Sequence, residues 1–330
     1  MFWGVFLLLQ APSTAGQGQQ ALFAEARRLI NAGEARTALA KLRAATPPSG
    51  SDEATQFAQL LGVAYYHADE PLKAIEVLAP VFERLVPDSV ERREAEQVLG
   101  LSYFLAGRFA DAVPRLEATR KWASANLELG NILGQAYIRV QRPDRAREVF
   151  ASVYRVPADS AAAHVIAAQM MVRLEMETQA EAELTKALEK DARLPNANYL
   201  LGQLALFRGR LAEAISLTER ELAINPANAM ALVQLGDAYV RQAEWDAAIG
   251  ALQKSIWLNP YYSAPYILLG RAYMKKGQPS TAEGMLRRAI QYDPNNRSAH
   301  YLLAQLLQQM GRTEEAQREF ELAEKLSGPR

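Results

Sequence analysis

The chain has no cysteine among its 330 residues, which excludes disulfide bonds, thiolate metal ligands and a cysteine nucleophile. It also has no net charge, because 37 basic residues balance 37 acidic ones. A neutral chain gives no bulk attraction to nucleic acid or to an anionic membrane surface. The apolar run at the amino end, residues 2–9, is far too short to span a bilayer. These absences remove several classes of function before any motif is considered.

What the sequence does contain is a motif that returns at one fixed spacing through most of the chain. The clearest unit covers residues 263–296 and contains Leu269, Gly270, Tyr273, Ala282 and Pro294. Steps of that spacing place the same residue types at Gly134, Ala168, Gly202, Gly236 and Ala304. A period of this length indicates that each unit is one supersecondary element that buries its apolar face against its neighbours.

The residue types in this unit predict two helices joined by a tight turn. Gly270 and Ala282 are small where bulk would push the two helices apart, and Leu286 lies on helical spacing beside them. Gly277 supplies the turn between the helices, and Pro294 ends the second helix. The sequence therefore predicts an all-α chain of stacked helix pairs.

These residues resemble the tetratricopeptide repeat family, whose unit is a helix-turn-helix of about 34 residues. The resemblance implies a right-handed α-solenoid of eight to nine tandem repeats over residues 17–330. It implies a degenerate first repeat at residues 19–46, a linker at 47–54 and regular repeats at 55–330. Gly62 and Gly100 are further apart than one period, so about four extra residues are expected near Pro87.

No recognisable catalytic or cofactor motif interrupts the repeats. The sequence has no P-loop, paired-glycine phosphate fingerprint, H-E-x-x-H or nucleophile elbow. His164 and His300 fall where Tyr266 lies in the clearest repeat, so both are expected to pack between helices. His67 is expected at a solvated helix end. The sequence predicts no enzyme activity, no bound metal and no cofactor.

The resemblance implies that the first helix of each repeat lines a concave groove through positions 2, 5, 9, 12 and 13. Position 1 is here residue 127, 161, 195, 229, 263 or 297. The groove residues predicted in this way are Gln135, Arg139, Gln169, Arg173, Tyr199, Gln203, Phe207, Asp237, Arg241, Arg271 and Lys275. The last repeat has Tyr301, Gln305 and Gln308 at groove positions.

Amide side chains both donate and accept hydrogen bonds, and arginine or lysine pairs with carboxylates. Such a groove favours a protein segment with acidic and apolar residues. The alternative is that the apolar residues complete helix packing while the polar ones solvate a helix face. The known carboxylate clamp of the co-chaperone subfamily has lysine at position 5 and asparagine at position 9, and neither occurs here.

The amino terminus bears on localisation. Residues 1–16 combine the apolar run with small residues, and Ser13 and Ala15 fit the preference of a secretory signal cleavage site. The absence of lysine or arginine before the run counts against a signal. We therefore expect an exported, periplasmic or extracellular protein, with a cytoplasmic one as the alternative.

The function predicted from these features is a non-catalytic protein-interaction scaffold, acting in the cell envelope. Two alternatives remain: an intracellular adaptor with the same groove, and a structural protein that assembles end to end. Glu324 occupies a position that is leucine or isoleucine in the four preceding repeats, so the last repeat is expected to cap the stack, although Phe320 and Leu322 leave end-to-end contact open.

Overall fold

The computed structural model describes residues 14–327, and in that range it is built of helices without a β-strand. The chain divides into two compact units, with the boundary in the sequence between Ala158 and Asp159. The first unit contains α1 (Thr14–Asn31), α2 (Ala35–Ala44), α3 (Ser51–His67), α4 (Pro71–Leu78), α5 (Val90–Leu105), α6 (Phe109–Trp122), α7 (Leu127–Arg139) and α8 (Pro143–Tyr154).

The second unit contains ten helices. They are α9 (Ala161–Arg173), α10 (Glu177–Lys190), α11 (Ala197–Phe207), α12 (Leu211–Ile224), α13 (Ala229–Arg241), α14 (Trp245–Leu258), α15 (Ser263–Lys275), α16 (Pro279–Tyr292), α17 (Arg297–Gln309) and α18 (Thr313–Lys325). Consecutive helices pack as pairs in both units, and each pair then packs on the next within its unit. Each unit is thus a stack of helix-turn-helix repeats, which confirms the predicted α-solenoid architecture.

Short polar side chains start the first helices. Asn228 accepts a hydrogen bond from the amide of Ala231, and Asn296 accepts one from the amide of Ala299. Both asparagines satisfy a backbone donor that has no partner inside its helix. Gly277 adopts φ of +69° between α15 and α16, a conformation that glycine tolerates best. These local signals set the helix boundaries that the repeat motif predicts.

The small residues of the motif are needed where two helices of a pair approach closely. A Cβ atom added to Gly270 would lie 2.6 Å from Cγ of Leu286, and one added to Gly236 would lie 2.5 Å from the same atom of Leu252. Ala282 is completely buried beside them. The predicted role of Gly270 and Ala282 in close helix packing is confirmed.

The amino-terminal repeats differ in detail from the sequence prediction. The first helix pair begins at Thr14 rather than at residue 19, and α3 begins at Ser51, so only residues 45–50 separate α2 from α3. The extra residues expected near Pro87 lie between α4 and α5, where Phe82–Arg84 forms a 3-10 turn. Residues 1–13 of the signal-like segment lie outside the described residues. No described helix has the length and apolar character that crossing a membrane requires.

Candidate functional site

Several first helices of neighbouring repeats contact one another, and in the first unit α3 contacts both α1 and α5. In the second unit, α13 contacts α11 and α15, and α15 contacts α17. Residues at the predicted groove positions therefore lie along one row of helices. This arrangement agrees with the expectation that the first helices form a shared surface.

A cavity of about 800 Å³ opens on this row between α15 and α17. Its walls are Arg271, Met274, Lys275, Arg297, Ser298, Tyr301, Leu302, Gln305, Gln308 and Gln309. Most of these residues occupy positions 2, 5, 9, 12 or 13 of their repeats. The cavity thus brings together two of the predicted site residues, Arg271 and Lys275, with five side chains at groove positions of the last repeat.

The charged residues that line this cavity are all basic. Arg271, Lys275 and Arg297 line it, and no carboxylate side chain does. Within residues 14–327, none of these three cations has an ion-pair partner in the structure. Amides of Gln305 and Gln308 add donors and acceptors beside them. The wall is therefore suited to carboxylates and to an extended backbone, while Met274 and other apolar members accept alkyl groups.

The middle of the second unit is different, because its predicted groove residues pair with each other. Arg241 Nη2 donates to Asp237 at 2.9 Å, and Nε of the same side chain donates to the other carboxylate oxygen at 3.3 Å. Arg241 Nη1 also donates to the carbonyl of Leu206 at 3.2 Å. The positive charge of Arg241 is therefore already balanced within α13.

The remaining predicted residues of this unit lie on α9 and α11. Gln169, Arg173 and Gln203 are exposed, and Phe207 is exposed over 76% of its surface. Tyr199 is half-buried, and burial, with a smaller effect of Tyr262, raises the pKa of its phenol. These side chains are accessible to a partner, but they do not line the cavity between α15 and α17.

In the first unit, the predicted residues are on α7. Gln135 is half-buried, and exposed Arg139 lies 6.0 Å from the centre of the Phe109 ring. A smaller cavity of about 320 Å³ opens among α3, α5 and α7, and Glu94 and Glu128 line it. Its lining contains two carboxylates and no lysine or arginine, unlike the lining of the cavity in the second unit.

In the first unit, some polar side chains of the first helices form hydrogen bonds with one another. Glu94 accepts hydrogen bonds from Arg27 and from Gln59, each at 2.6 Å, and so links α1, α3 and α5. Gln59 is fully buried. Because these groups satisfy one another, they stabilise the stack rather than offer free charges. The sequence prediction missed this network, because its members are far apart along the chain.

The buried histidines serve packing. His164 and His300 are 2% and 5% exposed, and each contacts a glutamate of the second helix in its own pair. His67 is exposed at the end of α3 and stacks edge-on with Tyr66. Over residues 14–327, no three acidic or histidine side chains come together as a metal site.

Family models support the repeat assignment directly. Models described as tetratricopeptide repeat match residues 178–229, 231–260 and 273–325. All three matches lie in the second unit, which also contains the large cavity. A search of curated proteins found no match.

Solved structures show similar folds over about half of this chain. MamA from Desulfovibrio magneticus RS-1 is 20% identical over 51% of this chain and 96% of its own, with a TM-score of 0.47. A thermophilic repeat protein of Thermus thermophilus is 21% identical over 51% of this chain and 91% of its own, with a TM-score of 0.44. PilW, a type IV pilus biogenesis factor, is 18% identical over 58% of this chain and 90% of its own, with a TM-score of 0.49.

At these sequence identities and TM-scores, the solved structures are similar to this chain in fold alone. The repeated motif, the nine helix pairs in residues 14–327 and the three family matches are independent of them. Together these observations identify the chain as a tetratricopeptide repeat protein, with protein partners as its general class of ligand.

Proposed function

We propose that this protein is a non-catalytic scaffold that binds an acidic and apolar segment of a partner protein between α15 and α17. The observation that carries the proposal is the set of three unpaired cations, Arg271, Lys275 and Arg297, in one cavity with amide and apolar walls. Long-range attraction to carboxylates is strongest where no internal counter-charge cancels it. The amides add hydrogen bonds that an extended peptide backbone can satisfy.

The size and composition of the cavity also favour a polypeptide over a small charged ligand. A volume of about 800 Å³ with Met274, Tyr301 and Leu302 in its walls provides apolar contact beside the charges. Charged side chains at the rim of a binding site raise the association rate of the partner, whereas aromatic and aliphatic contacts lower its dissociation rate. A segment that alternates carboxylates with leucine-like side chains uses both kinds of wall.

The experiment compares charge reversal inside and outside the cavity. Arg271, Lys275 and Arg297 are changed together to glutamate, and the control changes Arg193, Arg220 and Arg318, which are exposed elsewhere in the second unit. A labelled peptide of alternating aspartate and leucine serves as the probe, and fluorescence anisotropy measures its binding. The proposal requires at least a tenfold loss for the cavity variant and less than a twofold change for the control.

A second probe peptide has lysine in place of each aspartate. If it binds the unchanged protein as well as the acidic probe does, charge does not select the partner and the proposal fails. Equal weakening of the acidic probe by both triple variants leads to the same conclusion, because net charge alone would then explain the binding.

Export is the second part of the proposed function. It is supported by the apolar run at residues 2–9 and by the small residues Ser13 and Ala15 after it. Amino-terminal sequencing of carboxyl-tagged protein from fractionated native cells tests it. A mature start at or near Gly16 in an exported fraction supports an envelope scaffold, whereas an intact Met1 in the cytosol supports the intracellular adaptor.

A further inference from the structure

The residues that line the cavity between α15 and α17 extend along the whole of α17. Arg297 is the first residue of this helix and Gln309 is the last, and both line the cavity. A helix rises about 1.5 Å per residue, so the lined face of α17 is about 18 Å long. The cavity is therefore long enough for several residues of a bound polypeptide.

The helices α15 and α17 run in the same direction, because short turns reverse the chain before and after α16. Equivalent repeat positions then lie at similar heights along the two helices. The cavity lining agrees with this, since Arg271 and Gln305 both occupy position 9, and Lys275 and Gln309 both occupy position 13. The heights of all three cations can therefore be counted along α17 from Arg297 at position 1.

The three cations of the cavity lie toward its two ends. Arg271, at position 9, lies about 12 Å along the axis from Arg297, and Lys275, at position 13, lies about 18 Å from it. Tyr301 and Leu302 line the stretch between them, about 6–8 Å from Arg297. The lining thus presents one cation, then an apolar patch, then two further cations.

An extended chain reproduces this order at every second residue. It rises about 3.3 Å per residue and turns alternate side chains to one face, so residues i, i+2 and i+4 lie at about 0, 7 and 13 Å. These heights match those of Arg297, of the patch formed by Tyr301 and Leu302, and of Arg271. An acidic residue at i, an apolar one at i+2 and an acidic one at i+4 can therefore contact all three parts of the lining together.

An α-helix can also place three side chains at these heights, at residues i, i+4 and i+8. The polar side chains of the lining favour the extended chain. Ser298, Gln305 and Gln308 have hydroxyl or amide groups that donate and accept hydrogen bonds. The backbone of an extended chain needs such partners, whereas the backbone groups inside a helix are already bonded to one another.

We infer that the cavity between α15 and α17 selects an extended segment with an acidic residue at i, an apolar one at i+2 and an acidic one at i+4. This inference rests on the proposed function and adds the order and spacing of the partner's side chains. A peptide with aspartate and leucine in strict alternation places them on opposite faces of a strand. Such a peptide contacts the cations without filling the apolar middle of the cavity.

The test compares three labelled peptides of equal length and composition, each with two aspartates and one leucine among serines. The first has aspartate, leucine and aspartate at i, i+2 and i+4, which suits an extended chain. The second has them at i, i+4 and i+8, which suits a helix, and the third has them at adjacent positions. Fluorescence anisotropy with the full chain is expected to show that the first peptide binds at least fivefold more tightly than either other peptide.

A second measurement assigns each aspartate of the first peptide to a cation. Each aspartate is replaced in turn by asparagine, and the peptides are tested against Arg297→Gln and Arg271→Gln. Arg297→Gln is expected to weaken binding at least threefold only when one particular aspartate is present, and Arg271→Gln only when the other is. Arg318→Gln, an exposed change on α18, is the control and should alter the binding of each peptide less than twofold.

Two results overturn the inference. One is equal or tighter binding of the peptide with helical or adjacent spacing. The other is coupling of Arg297 and Arg271 to the same aspartate, because the two cations would then converge on one group. In either case the proposed function stands if these peptides bind more tightly than counterparts with lysine in place of aspartate, whereas the absence of that preference removes both.

Discussion

Nδ1 of His164 lies 2.7 Å from a carboxylate oxygen of Glu183, and both side chains are buried between α9 and α10. The same contact recurs at His300 and Glu319, at 2.6 Å between α17 and α18. In both repeats the two residues occupy positions 4 and 23. The two helices of both repeats are thus joined by a buried polar contact at the same two positions.

The first prediction concerns the pH dependence of stability through Glu183. Burial acts to raise the pKa of this carboxyl, but hydrogen bonds from Lys186 and His164 outweigh it and hold the pKa below its usual range. A carboxyl with a lowered pKa in the folded state stabilises the protein above its unfolded pKa of about 4.3. That contribution is lost as the pH falls through the folded pKa. Glu183→Gln is expected to lower the free energy of unfolding by roughly 1–3 kcal/mol at pH 7.

Urea unfolding of both proteins at pH 7 and at several values below about pH 4 measures this effect. The difference between the unchanged protein and Glu183→Gln should shrink as the pH falls. Glu189→Gln, an exposed change on the same helix, should alter neither value by more than about 0.5 kcal/mol. A difference that stays constant with pH would show that the charge of Glu183 does not stabilise the fold.

The second prediction replaces His300 and Glu319 with the residues found at the same positions of the preceding repeat. Tyr266 and Met285 occupy positions 4 and 23 of the clearest repeat, and the Tyr266 hydroxyl donates to the carbonyl of Pro260 at 2.9 Å. His300 Nε2 lies 3.0 Å from the corresponding carbonyl, that of Pro294. We expect the double variant His300→Tyr, Glu319→Met to be at least as stable as the more stable of the two single variants.

Each single change leaves one polar group without its partner, at a cost of about 1–3 kcal/mol. A double-mutant cycle from chemical unfolding gives the coupling energy between positions 4 and 23. If the double variant loses the sum of both single effects, the two side chains do not act as a pair.

The third prediction separates two kinds of helical glycine. Gly270→Ala is expected to destabilise the second unit by about 1–3 kcal/mol, because the added methyl group would contact Leu286. Gly284→Ala is expected to stabilise it by up to about 1 kcal/mol, since its surroundings are open and alanine favours a helix. Thermal or urea unfolding of both variants provides the measurement. Changes of the same sign would contradict the packing described for the motif.

The fourth prediction concerns the ion pair on α13. Asp237→Asn removes the charge that balances Arg241, while the amide keeps nearly the same shape. The uncompensated charge of Arg241 should then add to the positive potential of Arg271 and Lys275, and affinity for the acidic probe should rise about two- to fivefold. Glu324→Gln, at the exposed end of α18, is the control of equal charge change. Unchanged or lower affinity would show that the bound segment does not reach α13.

The helix pairs were predictable because their signals are local. Gly270, Ala282 and Pro294 recur with the period of the repeat, and each has a direct steric reason to be there. The first helix pair was placed less well. Its sequence lacks the Leu-Gly motif that marks the later repeats, and α1 begins at Thr14, before the first repeat that the sequence indicates.

The candidate site was only partly predictable. The repeat positions single out Arg271 and Lys275, which both line the cavity between α15 and α17. Arg297 lines the same cavity but lies at position 1, which is not among the groove positions that the resemblance implies. The pairing of Arg241 with Asp237 has a sequence signal, since opposite charges four residues apart meet on a helix. The Glu94 network has none, because its partners are 67 and 35 residues away.

Site-specific photo-crosslinking tests the central claim most directly. A benzophenone amino acid replaces Gln305 in the cavity or Gln317 on α18, in protein that is produced in the native host. We expect a crosslink from position 305, absent from position 317, to a partner segment rich in aspartate or glutamate among apolar residues. Equal crosslinking from both positions, or a basic segment at position 305, would contradict the proposed binding of an acidic segment between α15 and α17.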